Sequence, residues 1–89
     1  MPTLHLLIKG KVQGVFFRAS AKEVADRLGI TGWIKNTDPG DVEAVLAGSE
    51  TQLTVFLSWC RQGPRGATVS EVISTEEKDC SFEHFAVIR

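Results

Sequence analysis

The hydrophobic positions along the chain follow two different periods. Every second residue from Leu4 to Ile8 places an apolar side chain on one face, which is the period of a half-buried strand. Between Arg18 and Leu28 the apolar residues recur at the i, i+3, i+4, i+7 spacing of one helical face. Gly29 follows the last apolar position, where a left-handed glycine commonly ends a helix. The pattern predicts a first strand and a first helix over these two segments.

The middle of the chain has the pattern of a β-hairpin. Residues 31–36 and Asp41–Ala47 are two strand-like segments, and the second alternates apolar with other side chains. Between them lies the tetrapeptide Thr-Asp-Pro-Gly at positions 37–40, whose residue types are typical of turns. We therefore predict two antiparallel strands joined by a tight turn.

A second helix and two more extended segments complete the chain. Ser49 and Gln52 have the spacing of a capping box, in which each side chain satisfies a backbone donor at the start of a helix. Apolar residues then continue at helical spacing until a Gly-Pro pair, which ends the predicted helix. Thr68–Glu77 and residues 82–88 are again strand-like, with a polar stretch between them.

The predicted order is strand, helix, strand, strand, helix, strand, with a short final strand. Two helices with one apolar face each can cover only one face of a sheet. The expected fold is therefore an α+β, ferredoxin-like split βαβ sandwich (βαββαβ), with a mainly antiparallel sheet of four to five strands. With 89 residues, 43% of them hydrophobic, the chain is expected to form a single domain over residues 1–89.

Charge and composition exclude several classes of partner. Ten Lys and Arg against eleven Asp and Glu give a net charge of -1, so no general positive field attracts nucleic acid or an anionic membrane. The sequence contains no export signal and no transmembrane-length apolar run, and a cytoplasmic protein is expected. Cys60 and Cys80 have no motif spacing, and a reducing compartment favours free thiols over a disulfide.

The connection between the first strand and the first helix is the segment that could form a functional site. It spans residues 10–18, which is long for so small a domain. Gly10 and Gly14 permit positive φ, so successive backbone N–H groups can point into one concavity at a helix N-terminus. Arg18 can give two parallel hydrogen bonds to a phosphoryl group. Positive potential near a bound phosphate would also come from Lys9, Lys11 and Lys35. From the residues alone, an anion site and an ordinary loop with a surface arginine both remain open.

Two segments carry a resemblance to a known family. IKGKVQGVFFR, at residues 8–18, resembles the first signature of the acylphosphatase family. GWIKN at residues 32–36, with Gly40, Val42 and Gly48 after it, resembles the second. The closing FAVIR is also similar to the last strand of that family, whose fold is the same split βαβ sandwich. Within the signatures the one departure is an isoleucine, ahead of the Lys-Asn pair, where a smaller apolar residue is more usual.

The resemblance implies a function and a set of site residues. An acylphosphatase hydrolyses small acyl phosphates to a carboxylate and inorganic phosphate, and the resemblance implies that no metal or other cofactor takes part. A monomer is expected for so small and compact an enzyme. In the family, the arginine matching Arg18 neutralises the phosphoryl charge, and the asparagine matching Asn36 orients the attacking water. The phosphate cradle that the resemblance implies consists of the backbone N–H groups of Gln13, Gly14, Val15, Phe16, Phe17 and Arg18.

Four other interpretations compete with this one. A metal site assembled from His5, Cys60, Cys80 and His84 lacks the paired short spacings of structural zinc. An RNA-recognition module has the same fold, but it needs aromatic side chains on its open face, whereas strand one presents residues of other types there.

The remaining two alternatives retain the fold. A module of a larger carbamoyl-phosphate-using maturation protein is disfavoured because the chain starts at Met1, ends just past its last strand and lacks zinc-finger cysteines. A non-catalytic anion-binding domain is disfavoured because Arg18 and Asn36 are both present.

Overall fold

The computed structural model of the chain describes residues 1–88. Its elements are β1 (Thr3–Lys11), α1 (Phe17–Leu28), β2 (Thr31–Thr37), β3 (Asp41–Ala47), α2 (Glu50–Gln62), β4 (Thr68–Glu77) and β5 (Phe85–Ile88). The strands form one sheet in the order β4-β1-β3-β2-β5. The pairs of β1 with β3, β1 with β4 and β2 with β3 are antiparallel, and β2 pairs with β5 in parallel. The predicted fold class is confirmed.

Two element boundaries differ from the sequence prediction by more than one residue. β1 continues to Lys11, because beyond a register shift at Lys9/Gly10 it still pairs with β4. The connection to α1 is therefore residues 12–16, shorter than the nine-residue segment expected. β5 begins at Phe85 rather than at residue 82, because its pairing with β2 starts there. Both differences depend on partner strands, which periodicity does not reveal.

The core lies between the helices and one face of the sheet. Its aromatic members make a connected set, in which Phe17 packs on Trp59 at 5.3 Å and Phe56 packs on Phe85 at 6.2 Å between ring centroids. Ile34, the departure from the family signature, is fully buried in β2. Its extra carbons therefore fill the core and do not reach solvent.

The helix ends follow the predicted chemistry. Ser49 and Gln52 form both bonds of the capping box at the start of α2, and Gly29 ends α1 with φ 79°. The side chain of Gln52 also donates to the carbonyl oxygen of Leu28 at 2.7 Å, which joins the start of α2 to the end of α1. No helix within residues 1–88 has the length and hydropathy needed to cross a bilayer.

The two cysteines lie in different environments and are both free. Cys60 is fully buried in α2, and this burial raises the pKa of its thiol. Cys80 is exposed in the segment between β4 and β5. The prediction of free thiols is confirmed.

The open face of the sheet carries a charged cluster centred on Glu43. His5 Nε2 donates to Glu43 Oε2 at 2.6 Å, and Lys35 Nζ lies 3.6 Å from Glu43 Oε1. The same ammonium lies 5.2 Å from the centroid of the Trp33 ring. The hydrogen bond from His5, followed by the charge of Lys35, lowers the pKa of Glu43 from its ordinary value. The charged side chains of this cluster on the open face are thus paired with one another.

Gly32 is required where β2 lies against β3. Its φ is 138°, and an added Cβ would overlap the carbonyl oxygen of Val45. We expect Gly32→Ala to lower the free energy of unfolding by about 3 kcal/mol or more, measured by urea denaturation. Gly40→Ala is the matched control, since nothing lies within 4 Å of its added Cβ. Equal losses in the two variants would contradict this account.

The Glu43 cluster gives a pH dependence of stability with a defined sign. Because the pKa of Glu43 is lowered in the folded chain, its stabilisation is present above the ordinary value of 4.5 and is lost as the pH falls through the folded pKa. The stability advantage of the native chain over Glu43→Gln should shrink on acidification below about pH 4.5, in urea denaturation at a series of pH values. His5→Ala should flatten the same profile. A native-to-variant difference that stays constant through the acid range would refute the assignment.

Candidate functional site

Helix α1 starts without a cap. Phe16 occupies the N-cap position in the left-handed conformation, with φ 60° and ψ 27°, and no side chain there accepts from the helix. The first turn contains no acidic residue, and the first bond of the helix runs from Ser20 N to Phe16 O at 2.9 Å. The N–H groups of residues 17–19 therefore have no acceptor within the helix. They present a positive dipole end to the solvent.

The loop ahead of the helix alternates its backbone conformation. Gly14 has φ 74° and Phe16 has φ 60°, whereas Val15 between them is not left-handed. Left-handed residues in such a turn are typical of the backbone nests that bind anions. For Phe16 the left-handed conformation costs about 1–3 kcal/mol, which the surrounding structure must offset. Val12 and Phe17, each 1% exposed, fix both ends of the loop in the core.

Arg18 extends from the first turn of α1 to the last strand. Its Nη1 atom donates to the carbonyl oxygen of Ile88 in β5 at 2.9 Å. This contact uses one of the five N–H donors of the guanidinium and fixes its position. The other four N–H donors are not used in this contact.

Asn36 lies near the end of β2 and is exposed. Because it is two residues beyond the buried Ile34, it lies on the helix side of the strand. The strand directions bring it close to Arg18: β1, β2 and β5 all run the same way, so their carboxyl ends share one edge of the sheet. A small pocket of about 310 Å³ at this edge is lined by Arg18, Lys35, Asn36 and Ile88. Its volume suits a small ligand.

A larger cleft of about 910 Å³ contains most of the predicted site residues. Arg18 and Asn36 both line it. The members of the predicted cradle that line it with them are Gly14, Phe16 and Phe17. The structure therefore brings together the helix start, the arginine and the asparagine on one concave surface.

Gln13 and Val15 do not present their side chains to this cleft. Gln13 Nε2 donates to the carbonyl oxygens of Thr37 at 2.8 Å and Asp41 at 2.9 Å, on either side of the hairpin turn. Val15 packs against the core. The predicted cradle role of these two residues therefore concerns their backbone N–H groups alone. Sequence reasoning missed the contacts of Gln13 with the hairpin because they join segments more than 20 residues apart.

The lysines near the site differ in their positions. Lys35 lines the small pocket, while its ammonium pairs with Glu43. Lys9 is paired with Asp41 at 3.6 Å, and Lys11 is exposed at the end of β1. Among the three, Lys35 is therefore the one that lines the pocket beside Arg18, although its ammonium is paired with Glu43 on the open face.

The four residues of the alternative metal site are dispersed. Cys60 is enclosed in the core, whereas Cys80 and His84 are exposed. His5 is bonded to Glu43 on the open face. Within residues 1–88, no three His, Cys, Asp or Glu side chains gather in a way that would hold a metal ion.

Comparison with known proteins places this geometry in a family. The acylphosphatase family model matches residues 4–87. The chain is 48% identical to an acylphosphatase of Pyrobaculum islandicum over 86 residues, covering 94% of this chain and 90% of the relative. It resembles the structure of an acylphosphatase from Coxiella burnetii with a TM-score of 0.94 and 39% identity, covering 98% and 92% of the two chains.

A second solved structure gives the same result. The acylphosphatase from Bacillus subtilis is similar with a TM-score of 0.92 and 32% identity, and the match covers 100% of both chains. The resemblance inferred from the two sequence signatures is thereby confirmed. This chain belongs to the acylphosphatase family of enzymes.

Proposed function

We propose that this chain hydrolyses the carboxyl-phosphate bond of small acyl phosphates, without a metal or another cofactor. The observation that carries the proposal is that the uncapped start of α1, Arg18 and Asn36 share one cleft. A dianionic phosphoryl group is the ligand for which unpaired N–H groups and a guanidinium are complementary. Membership in the acylphosphatase family supports the acyl phosphate as substrate.

The backbone N–H groups and Arg18 bind the phosphoryl group. The N–H groups of residues 13–18 surround the phosphoryl oxygens, and the guanidinium neutralises their charge. The bond from Arg18 to the Ile88 carbonyl limits the motion of the guanidinium before the ligand arrives. Less reorganisation is then needed during the reaction.

Asn36 holds the attacking water. A neutral amide accepts a hydrogen bond through its oxygen and donates through its nitrogen, so it can orient water without taking a proton. The water oxygen forms a bond to phosphorus while the bond from phosphorus to the acyl oxygen breaks. The products are a carboxylate and inorganic phosphate, and the proton of the water passes to the phosphoryl oxygens or to the leaving carboxylate.

The chemistry of the substrate explains why so few side chains suffice. An acyl phosphate has a good leaving group and a loose, metaphosphate-like transition state, so strong activation of the nucleophile is unnecessary. Positioning and electrostatic stabilisation can supply the rate enhancement. Arg18 and Asn36 provide both at the edge of the sheet.

We further propose that residues 1–89 act as one domain, as a monomer in the cytoplasm. The free thiols of Cys60 and Cys80 suit a reducing compartment. On the open face, the internal pairing of Glu43 with His5 and Lys35 suits exposure to water. The net charge of -1 favours a small-molecule substrate over nucleic acid or a membrane surface.

The roles of Arg18 and Asn36 are separable by mutation. We expect Arg18→Gln to weaken binding of inorganic phosphate and to lower kcat/KM by about a hundredfold or more. Asn36→Ala should lower kcat by a similar factor but retain phosphate binding, because it removes only the orientation of the water. The measurements are phosphate release from acetyl phosphate and calorimetric titration with inorganic phosphate.

The control is Arg27→Gln, which removes an exposed arginine at the other end of the same helix and should leave both properties unchanged. A native chain that binds phosphate but releases none from acetyl phosphate would instead establish a non-catalytic anion-binding domain. An Asn36→Ala variant with native kcat would refute the role of the asparagine.

Metal independence has its own test. Turnover of acetyl phosphate by the native chain should be unchanged after dialysis against EDTA, because the proposed charges are supplied by N–H groups and Arg18. Subsequent addition of Mg²⁺ or Zn²⁺ should not raise the rate. A loss of activity in EDTA that added metal restores would show that an ion takes part.

A further inference from the structure

The side chain of Phe16 is unusually exposed for an aromatic residue. Its exposure is 82%, higher than that of the other exposed large hydrophobic residues within residues 1–88. The loop around it buries its apolar neighbours, since Val12 and Phe17 lie in the core and Val15 packs against it. Of these four apolar residues, only Phe16 is left to solvent. Water-exposed aromatic area is unfavourable, so stability does not explain this choice of residue.

The backbone at Phe16 is also unfavourable for phenylalanine. Within residues 1–88 it is the one non-glycine residue with positive φ. Glycine or asparagine would take this conformation with less strain. The left-handed backbone serves the N–H cradle, but it does not require an aromatic ring. The backbone conformation therefore does not explain why the side chain at this position is aromatic.

The position of Phe16 supplies that explanation. It lines the same cleft as Arg18 and Asn36. At about 910 Å³ the cleft is much larger than a phosphoryl group requires. Its wall also has apolar surface from Ala19, Ala86 and Val87, beside the charged side chains of Lys22, Glu23 and Asp26. A substrate whose phosphoryl group is held at the helix start must extend its acyl group into this space.

We propose that the Phe16 ring is the contact surface for the acyl group and sets the specificity of the enzyme. The inference rests on the proposed hydrolysis of acyl phosphates. An apolar or aromatic acyl group would cover the exposed ring and remove its surface from water, whereas a two-carbon acyl group is too short to cover much of it. The enzyme therefore prefers acyl phosphates with larger, apolar acyl groups, through KM more than through kcat.

The test compares two substrates in two variants. Phe16→Asn removes the ring but tolerates the left-handed backbone, while Phe16→Leu keeps an apolar side chain. For benzoyl phosphate, Phe16→Asn should lower kcat/KM by about tenfold, mainly by raising KM. For acetyl phosphate the same variant should lose less, so that the ratio of the two kcat/KM values falls severalfold, because the acetyl group contacts little of the ring. Phe16→Leu should retain part of the preference for benzoyl phosphate.

A binding measurement separates this inference from the proposed function. Phenacylphosphonate and acetonylphosphonate replace the labile oxygen by a methylene group, so their affinities do not depend on turnover. Phe16→Asn should weaken the first by more than the second, so that the ratio of the two affinities falls, and Val55→Ala, which shortens an exposed apolar side chain on α2, should leave that ratio unchanged. An unchanged ratio of the two affinities in Phe16→Asn overturns the role of the ring. Parallel losses for both ligands, together with weaker binding of inorganic phosphate, also overturn it and assign Phe16 to the shape of the loop.

The two proposals fail in different ways. Absence of turnover with both benzoyl and acetyl phosphate in the native chain would refute the proposed hydrolysis. Normal turnover with the same substrate preference in Phe16→Asn would refute only the specificity role.

Discussion

Helix α1 begins at Phe17 with no side chain to cap it. Unpaired N–H groups at a helix start are costly when buried, and they are tolerated here because they face an open cleft. The loop that presents them has to turn sharply, so Phe16 adopts a left-handed backbone. Burial of Val12 and Phe17 on either side holds that strained turn in place. The proposed anion site is thus supported by the hydrophobic core directly beneath it.

Strand direction then decides which side chains join the helix start. β1, β2 and β5 run in the same direction, so their carboxyl ends meet at one edge. β1 leads into the cradle loop, β2 carries Asn36 near its end, and β5 ends with the carbonyl group of Ile88 that holds Arg18. A split βαβ sheet therefore creates the site by topology, because residues distant in sequence arrive at a common edge.

Much of this arrangement is predictable from the sequence, and the exceptions share one cause. Helical spacing located α1, and Ser49 with Gln52 marked the start of α2, because both depend on near neighbours in the chain. The family signatures then selected Arg18 and Asn36, which residue types alone left ambiguous. The bond from Arg18 to Ile88 joins positions 70 residues apart, and no local pattern encodes it. The exposure of the Phe16 ring was equally unpredictable, because an aromatic residue in such a loop would ordinarily be assigned to the core.

The contacts of Gln13 have a consequence for how this protein can vary. Its amide nitrogen donates to the carbonyl oxygens of Thr37 and Asp41, so a displacement of the hairpin turn also displaces the cradle loop. Exposed hairpin turns usually tolerate insertions, because little depends on their length. In this chain one added residue would displace those carbonyl groups and shift the loop beneath the proposed phosphoryl site. We therefore expect the proposed function to constrain the length of the hairpin turn, although residues 38–40 line neither pocket.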